Sequence, residues 1–157
     1  MFRKLFKQQK GITLTEVVVY IGIISIVVVS IVSIVVQLIQ LKASADSMGV
    51  MNNEITNLFE KLITDVRNCD SFAVDPIDSS ILRVTTDGST NTYSLQNSKV
   101  ILNDGLDNFQ ITSNLVLIDS LTFSDWTSTS SDNLLHLEVE ISRGGVSEDF
   151  QTSIHKR

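Results

Sequence analysis

Hydrophobic and polar residues are distributed unevenly along this chain of 157 residues. From position 17 to position 36 there is no charged residue, and only Tyr20, Gly22 and three serines interrupt a run of valine and isoleucine. Twenty residues of α-helix rise about 30 Å, which matches the hydrocarbon core of a bilayer. The run is too long for a buried strand and unusually rich in β-branched residues for a soluble helix. It therefore predicts a transmembrane helix.

The hydrophobic pattern changes after the apolar run, where apolar residues recur at spacings of three and four. These positions are Met48, Met51, Ile55, Leu58, Phe59, Leu62, Ile63 and Val66. Such spacing is typical of an amphipathic helix that buries one face. The pattern ends near Asn68, and Pro76 closes the region. We expect one helix from about Thr13 to Asn68, with a transmembrane first half and an amphipathic second half.

The rest of the chain predicts an antiparallel sheet. In "LLHLEVEIS" (134–142), leucine, valine and isoleucine alternate with polar residues, which indicates one buried face and one wet face. Asp87-Gly88 separates two strand-like segments and is a hairpin signal. The predicted strands are 81–86, 91–96, 99–103, 117–127, 134–142 and 146–154. The predicted fold class is α+β, with the long N-terminal helix packed on a C-terminal antiparallel sheet.

Charged residues are also distributed unevenly, with basic residues before the apolar run and an excess of acidic residues after it. Residues 1–11 carry four basic residues and no acid, whereas the whole chain has a formal net charge of −6. The positive-inside rule places the N-terminus in the cytoplasm and the acidic C-terminal domain on the other side of the membrane. An acidic domain also argues against direct binding of the phosphate backbone, so no nucleic acid is expected as a partner.

The N-terminal segment allows two simple interpretations, which both leave Glu16 without a role. One is a plain single-pass anchor. The other is a secretory signal cleaved after Ala45, where Ala43-Ser44-Ala45 fits a small-x-small site. The apolar run is longer than the roughly 7–15 residues of a signal h-region, and Lys42 lies inside the cleavage region. A carboxylate next to hydrocarbon is unfavourable, and neither interpretation explains why Glu16 lies there.

The residues "GITLTE" (11–16) supply a third interpretation. Placed after a basic leader and before an apolar run, they resemble the processing site of type IV prepilins and type II secretion pseudopilins. The resemblance implies cleavage by a prepilin peptidase between Gly11 and Ile12, followed by N-methylation of Ile12. Glu16 matches the glutamate of the family motif, which implies that it neutralises the amino terminus of a neighbouring subunit during assembly. Opposite charges attract strongly in a medium of low dielectric constant.

The resemblance extends to the organisation of the whole chain. It implies a cleaved leader (1–11), a transmembrane helix (12–40), an amphipathic continuation (41–70) and a pilin-like sheet domain (71–157). "Tyr-x-Leu" at 93–95, "SLTF" at 120–123, a glycine turn and a final "FQTSI" are similar to minor pilins and J-type minor pseudopilins. Two residues depart from the family pattern, because Ile12 replaces the common phenylalanine and Thr15 replaces an aliphatic residue. The membrane helix also lacks proline, which favours a minor subunit.

The same resemblance implies partners and a location. The partners are the prepilin peptidase, other pilins or pseudopilins in a filament of several subunit types, an inner-membrane assembly platform and membrane lipid. The chain is expected to be a single-pass protein of the cytoplasmic membrane that later joins a surface or periplasmic filament. The alternative is an extracytoplasmic binding domain, either tethered by the helix or released after a signal peptide.

Small residues fall on one side of the predicted membrane helix. At 100° per residue, they lie within an arc of roughly 140°. This small-residue face consists of Thr15, Gly22, Ser25, Ser30 and Ser33. Small side chains let helices approach closely in lipid, so the face is a candidate for helix packing. The alternative is chance scatter within a run of low complexity.

The chain offers little for catalysis. No serine-hydrolase, zinc-protease or P-loop motif occurs, and neither His136 nor His155 lies next to a nucleophile motif, so no enzyme and no cofactor are predicted. The single cysteine, Cys69, cannot form an internal disulfide and is expected to be a small buried residue at the helix end, with intermolecular contact as the alternative.

Two further features of the loops have competing interpretations. "DPID" (75–78) and "NDGLDN" (103–108) are expected to be ordinary turns, although Asp104 and Asp107 are weak candidates for calcium ligands. Trp126 is expected to be a half-buried anchor at the end of a strand, with a partner contact as the alternative.

Overall fold

The computed structural model describes residues 13–126 and 134–156. A single long helix, α1, spans Leu14–Arg67 and is followed within these residues by eight strands. The strands are β1 (Ser71–Val74), β2 (Leu82–Thr86), β3 (Ser89–Gln96), β4 (Lys99–Asn103), β5 (Asn108–Gln110), β6 (Leu117–Asp125), β7 (Leu134–Arg143) and β8 (Val146–His155). The α+β class is therefore confirmed. The chain divides into two compact units, Met1–Lys42 and Ala43–Arg157.

The first unit contains the apolar part of α1. Every described residue of this unit is exposed, so none of the described residues covers the run of valine and isoleucine. α1 contains one segment that is long and apolar enough to cross a membrane. The start of the helix agrees with the predicted position because Thr13 caps it. The backbone N–H groups of Glu16 and Val17 donate to the Thr13 carbonyl at 3.0 and 3.2 Å.

The second unit begins with the amphipathic part of α1, which buries one side in the domain. The buried positions are Met51, Ile55, Leu58, Leu62 and Val66, while Phe59 and Ile63 are partly buried against the same core. These residues match the predicted spacing. Met48 was also predicted to lie on the buried side, but it precedes the first buried position and is 41% exposed.

The strands form two antiparallel sheets, whereas one sheet was predicted. β1 to β5 form a five-stranded meander and β6 to β8 a three-stranded one. β6 does not continue the first sheet; the N–H groups of Ile118 and Phe123 donate to the carbonyls of Ser98 and Ser79, at 3.0 and 2.8 Å. Those two carbonyls lie outside the strands of the first sheet, so β6 runs beside that sheet without extending it.

The hydrophobic core lies between α1 and the inward faces of both sheets. On β7 the four predicted inward positions, Leu135 to Ile141 at alternate residues, are all buried. Leu121 and Phe123 of β6 are buried beside them, as predicted. In the first sheet, Leu82, Tyr93 and Leu102 are register partners across β2, β3 and β4 and are also buried. Period-two patterning therefore identified the core-facing side of these strands.

Polar contacts fix α1 on the domain. Tyr93 Oη, on β3, donates to the Asp65 carboxylate on α1. The same carboxylate forms an ion pair within α1, where Lys61 Nζ lies 3.0 Å from Asp65 Oδ2. Burial beside this carboxylate raises the pKa of Tyr93 and keeps the phenol neutral. Further along the chain, the Ser113 N–H donates to Glu54 Oε2 of α1 at 3.0 Å, which ties the loop between β5 and β6 to the helix.

The hairpin turns explain the tight connections between strands. Asp87-Gly88 and Gly144-Gly145 both have positive φ at their two central residues, as a two-residue type I′ hairpin requires. Both turns were predicted, the first from its Asp-Gly pair and the second from its two glycines. The β3–β4 turn uses Asn97 and Ser98, with φ of 51° and 58°. Ser98 therefore adopts a left-handed conformation that favours glycine.

Candidate functional site

The candidate site is the first turn of α1, where Glu16 lies. Thr13 precedes the helix, and its Oγ1 accepts a hydrogen bond from the Glu16 N–H at 3.3 Å. Thr13-x-x-Glu16 has the residue types and spacing of a capping box. A carboxylate in the first turn also interacts favourably with the positive end of the helix dipole. Glu16 thus has a local role at the helix start, which the sequence analysis did not recognise although the motif is visible in the sequence.

Glu16 has a second neighbour, which the sequence analysis also missed. Tyr20 Oη donates a hydrogen bond to Glu16 Oε1 at 3.4 Å. The two residues are four positions apart, so they are neighbours on the helix surface. Both side chains are exposed in the chain. The spacing alone would have indicated this pair.

The hydroxyls of the small-residue face are satisfied inside the helix. Ser25, Ser30 and Ser33 donate to the carbonyl oxygens of the residues four positions earlier, at 2.7, 2.9 and 3.0 Å. Thr15 Oγ1 donates to Thr13 Oγ1 at 3.2 Å. Because these donors are paired, the face can enter lipid without an unsatisfied hydroxyl.

The same face is open in this chain. A Cβ added at Gly22 would meet nothing within 4 Å, so the fold of the chain itself does not require glycine there. All five positions of the small-residue face are exposed. Packing of another helix on this face therefore stays a prediction. Gly11 and Ile12, the predicted cleavage and methylation site, lie outside the described residues.

The acidic loops have the geometry of turns. Asp104 Oδ1 accepts the N–H groups of Leu106 and Asp107 at 2.9 and 2.8 Å, and these bonds lower the pKa of Asp104. Asp75 Oδ1 similarly accepts the Ile77 N–H at 2.9 Å. Across residues 13–126 and 134–156, no three or more acidic, histidine or cysteine side chains are placed to hold a metal ion. The carboxylate of Asp104, one of the two weak calcium candidates, is thus engaged in its own turn.

Trp126 and His136 form a stacked pair at the end of β6. Their ring centroids are 4.4 Å apart and the rings are inclined by 14°. The Trp126 side chain nevertheless stays 56% exposed. Trp126 thus lies at a strand end, as predicted, but it is exposed and not half-buried, and one large aromatic surface stays open for contact.

His136 also takes part in a hydrogen-bonded row across β7 and β8. Its Nδ1 lies 2.9 Å from Ser153 Oγ and its Nε2 lies 3.2 Å from Glu138 Oε1. The sequence could not show the serine, because strand register brings it opposite His136. Ser153 and Glu138 are exposed on an open strand surface, where water competes for the same bonds. The row is best understood as cross-strand stabilisation.

Cys69 lies just after α1 and is buried, as predicted. Its Sγ donates to the Val66 carbonyl at 3.1 Å. Burial raises the pKa of the Cys69 thiol, so the reactive thiolate form is disfavoured.

The long apolar helix and the antiparallel sheets are compatible with a pilin-like fold. The charge of Glu16 beside the apolar run is the feature that helix capping in a plain membrane anchor does not require. No family model matches the chain, and no curated protein and no solved structure matches it either.

Proposed function

We propose that this chain is a minor pilin or pseudopilin, a structural subunit of a type IV pilus-like or type II secretion-like filament. A prepilin peptidase cleaves it between Gly11 and Ile12, and the N-terminal helix then carries it into the filament. The observation that carries this proposal is the exposed carboxylate of Glu16 in the first turn of a helix whose apolar side chains are covered by none of the described residues.

Two physical arguments support an assembly role. The exposed valine and isoleucine side chains need lipid or other helices around them, since apolar area in water is unfavourable. Glu16 lies at the edge of that apolar surface. Two opposite charges about 4 Å apart interact by roughly 4 kcal/mol at an effective dielectric constant near 20. The amino group that cleavage creates at Ile12 of a neighbouring subunit is a suitable partner charge.

The remaining parts of the proposal rest on the charge pattern and on the family resemblance. The proposed location is the cytoplasmic membrane, with the basic leader inside and the acidic domain outside. Its partners are the prepilin peptidase, other pilins or pseudopilins and the assembly platform. The competing function is a binding domain that is tethered by the helix or released after Ala45, for which the exposed Trp126 ring offers a contact surface.

Intact-mass measurement and N-terminal sequencing test the processing step. The full chain is expressed with and without a prepilin peptidase. A peptidase-dependent start at Ile12 supports the proposal, and an added mass of about 14 Da reports methylation of the new amino group. A start at Asp46 identifies a released binding domain. A start at Met1 under both conditions identifies a plain membrane anchor.

Two substitutions at Glu16 separate assembly from helix capping. Glutamine keeps a side-chain oxygen at the third helical position, as the capping-box pattern requires, whereas alanine removes it; the bond from the backbone N–H of residue 16 to Thr13 Oγ1 is available in both. If the negative charge serves assembly, Glu16→Gln and Glu16→Ala both reduce incorporation with partner subunits by at least about tenfold. Peptidase processing serves as the control and should be retained in both. Normal incorporation of Glu16→Gln would show that only capping matters.

A further inference from the structure

The apolar run of α1 contains four side-chain hydroxyls, and only one of them contacts another side chain. The hydroxyls of Ser25, Ser30 and Ser33 are bound to the backbone of their own helix. Tyr20 Oη instead donates to Glu16 Oε1. Side chains on a helix tilt towards its N-terminus, so the tyrosine ring extends back along the surface to the carboxylate. The hydroxyl of Tyr20 is therefore directed at the residue on which the proposed function depends.

Glu16 and Tyr20 lie on a different side of the helix from the small-residue face. At 100° per residue, Glu16 is about 110° and Tyr20 about 150° from the centre of that face. A helix centred on the small-residue face would therefore not face the carboxylate directly. A group that approaches from the Tyr20 side of the helix reaches Glu16 with the tyrosine ring beside it.

We propose that Tyr20 is a positioning residue for Glu16, an inference that rests on the proposed function. Its hydroxyl compensates one carboxylate oxygen in the membrane and orients the other, Oε2, for the amino terminus of a neighbouring subunit. Hydrogen bonds to ionised groups are about twice as strong as neutral ones. An uncompensated carboxylate next to lipid is costly. Tyrosine suits this depth because its ring favours the membrane interface.

The first test measures Glu16 in the unassembled chain. The full-length protein in membranes, without partner subunits, is treated with dicyclohexylcarbodiimide, which modifies protonated carboxyl groups in apolar surroundings. Adducts at Glu16 are located by peptide mass spectrometry. In Tyr20→Phe no hydroxyl occupies Oε1 of Glu16, so the carboxyl group is more accessible to the reagent and labelling should be at least about threefold faster. Ser25→Ala is the matched control, because its hydroxyl bonds only to its own helix, and it should label like the wild type. An unchanged rate in Tyr20→Phe overturns the proposal.

The second test measures assembly with partner subunits and a prepilin peptidase. Tyr20→Phe should lower incorporation roughly three- to tenfold. Tyr20→Phe combined with Glu16→Gln should be no worse than Glu16→Gln alone, because both changes act through the same carboxylate. If the wild type is neither processed at Ile12 nor incorporated, the proposed function fails. If Glu16→Gln assembles normally, the charge of Glu16 has no role in assembly and Tyr20 has no carboxylate to position. If Glu16→Gln fails while Tyr20→Phe labels and assembles normally, only the positioning role of Tyr20 is wrong.

Discussion

The buried phenol of Tyr93 offers a quantitative test of how α1 is held on the domain. Tyr93 is fully buried on β3, and its hydroxyl donates to Asp65 of α1. Tyr93→Phe removes this hydrogen bond and keeps the ring. Asp65 retains the ion pair with Lys61 and some contact with solvent, since its side chain is 15% exposed. We therefore expect the free energy of unfolding to fall by about 1–2 kcal/mol at pH 8, near the lower end for a hydrogen bond to a charged group.

The pH dependence of this effect has a definite sign. In the unfolded chain Tyr93 ionises near its ordinary pKa of about 10, while burial raises its pKa in the folded chain. Above pH 10 the unfolded state therefore binds fewer protons, and stability falls by about 1.4 kcal/mol for each further pH unit. Tyr93→Phe lacks this loss. The difference in free energy of unfolding between the wild type and Tyr93→Phe is therefore largest below pH 10. It should shrink to about zero near pH 11.

Urea unfolding of the full-length protein in detergent, followed by circular dichroism at pH 8, 10 and 11, measures both effects. The chain contains two tyrosines, so Tyr20→Phe is a matched control outside the domain and should unfold like the wild type at each pH. Equal stability of wild type and Tyr93→Phe at pH 8 would refute the hydrogen bond. A difference that stays constant up to pH 11 would refute the argument from burial.

Two further substitutions test the sheets by the same unfolding assay. Ser98→Gly should stabilise the domain by about 0.5 kcal/mol, because relief of a left-handed φ slightly exceeds the added freedom of the unfolded chain; Ser94→Gly, within β3, should destabilise it instead. Asp149→Lys should stabilise by about 0.5–1 kcal/mol, because Asp149 and Glu140 are like-charged register partners. Ser147→Lys on the same face is its control and should be near neutral. A loss of stability in either Ser98→Gly or Asp149→Lys contradicts the corresponding argument.

Much of the fold could be predicted because local pattern determines it. Apolar residues recur every three or four positions from Met51 to Val66 and every second position from Leu135 to Ile141. Both patterns indicate which side of the helix or strand is buried. β1 and β5 were missed because they have only four and three residues. Such short strands carry little periodicity, and pairing with longer neighbours creates them.

Contacts between distant residues could not be predicted. Asp65 and Tyr93 are 28 positions apart, and Glu54 and Ser113 are 59 apart. Such pairs depend on how α1 lies across the sheets, which no local pattern encodes. The division of the strands into two sheets could not be predicted for the same reason. The Glu16–Tyr20 pair differs, because its spacing of four residues was readable on a helix from the start.

Magnitudes decide whether helix capping alone explains Glu16. An acidic residue in the first turn of an exposed helix gains about 0.3–1 kcal/mol from the helix dipole. A charged side chain at the centre of a bilayer costs about 2.5–3.5 kcal/mol on insertion scales, and less near the edge. Glutamine keeps the capping acceptor without that cost, so capping alone does not favour a charge beside a long apolar run. A partner charge offsets the cost, and the amino terminus of a neighbouring subunit provides one in the proposed filament. Comparison of Glu16→Gln with Glu16→Ala separates the two contributions, because glutamine removes only the charge.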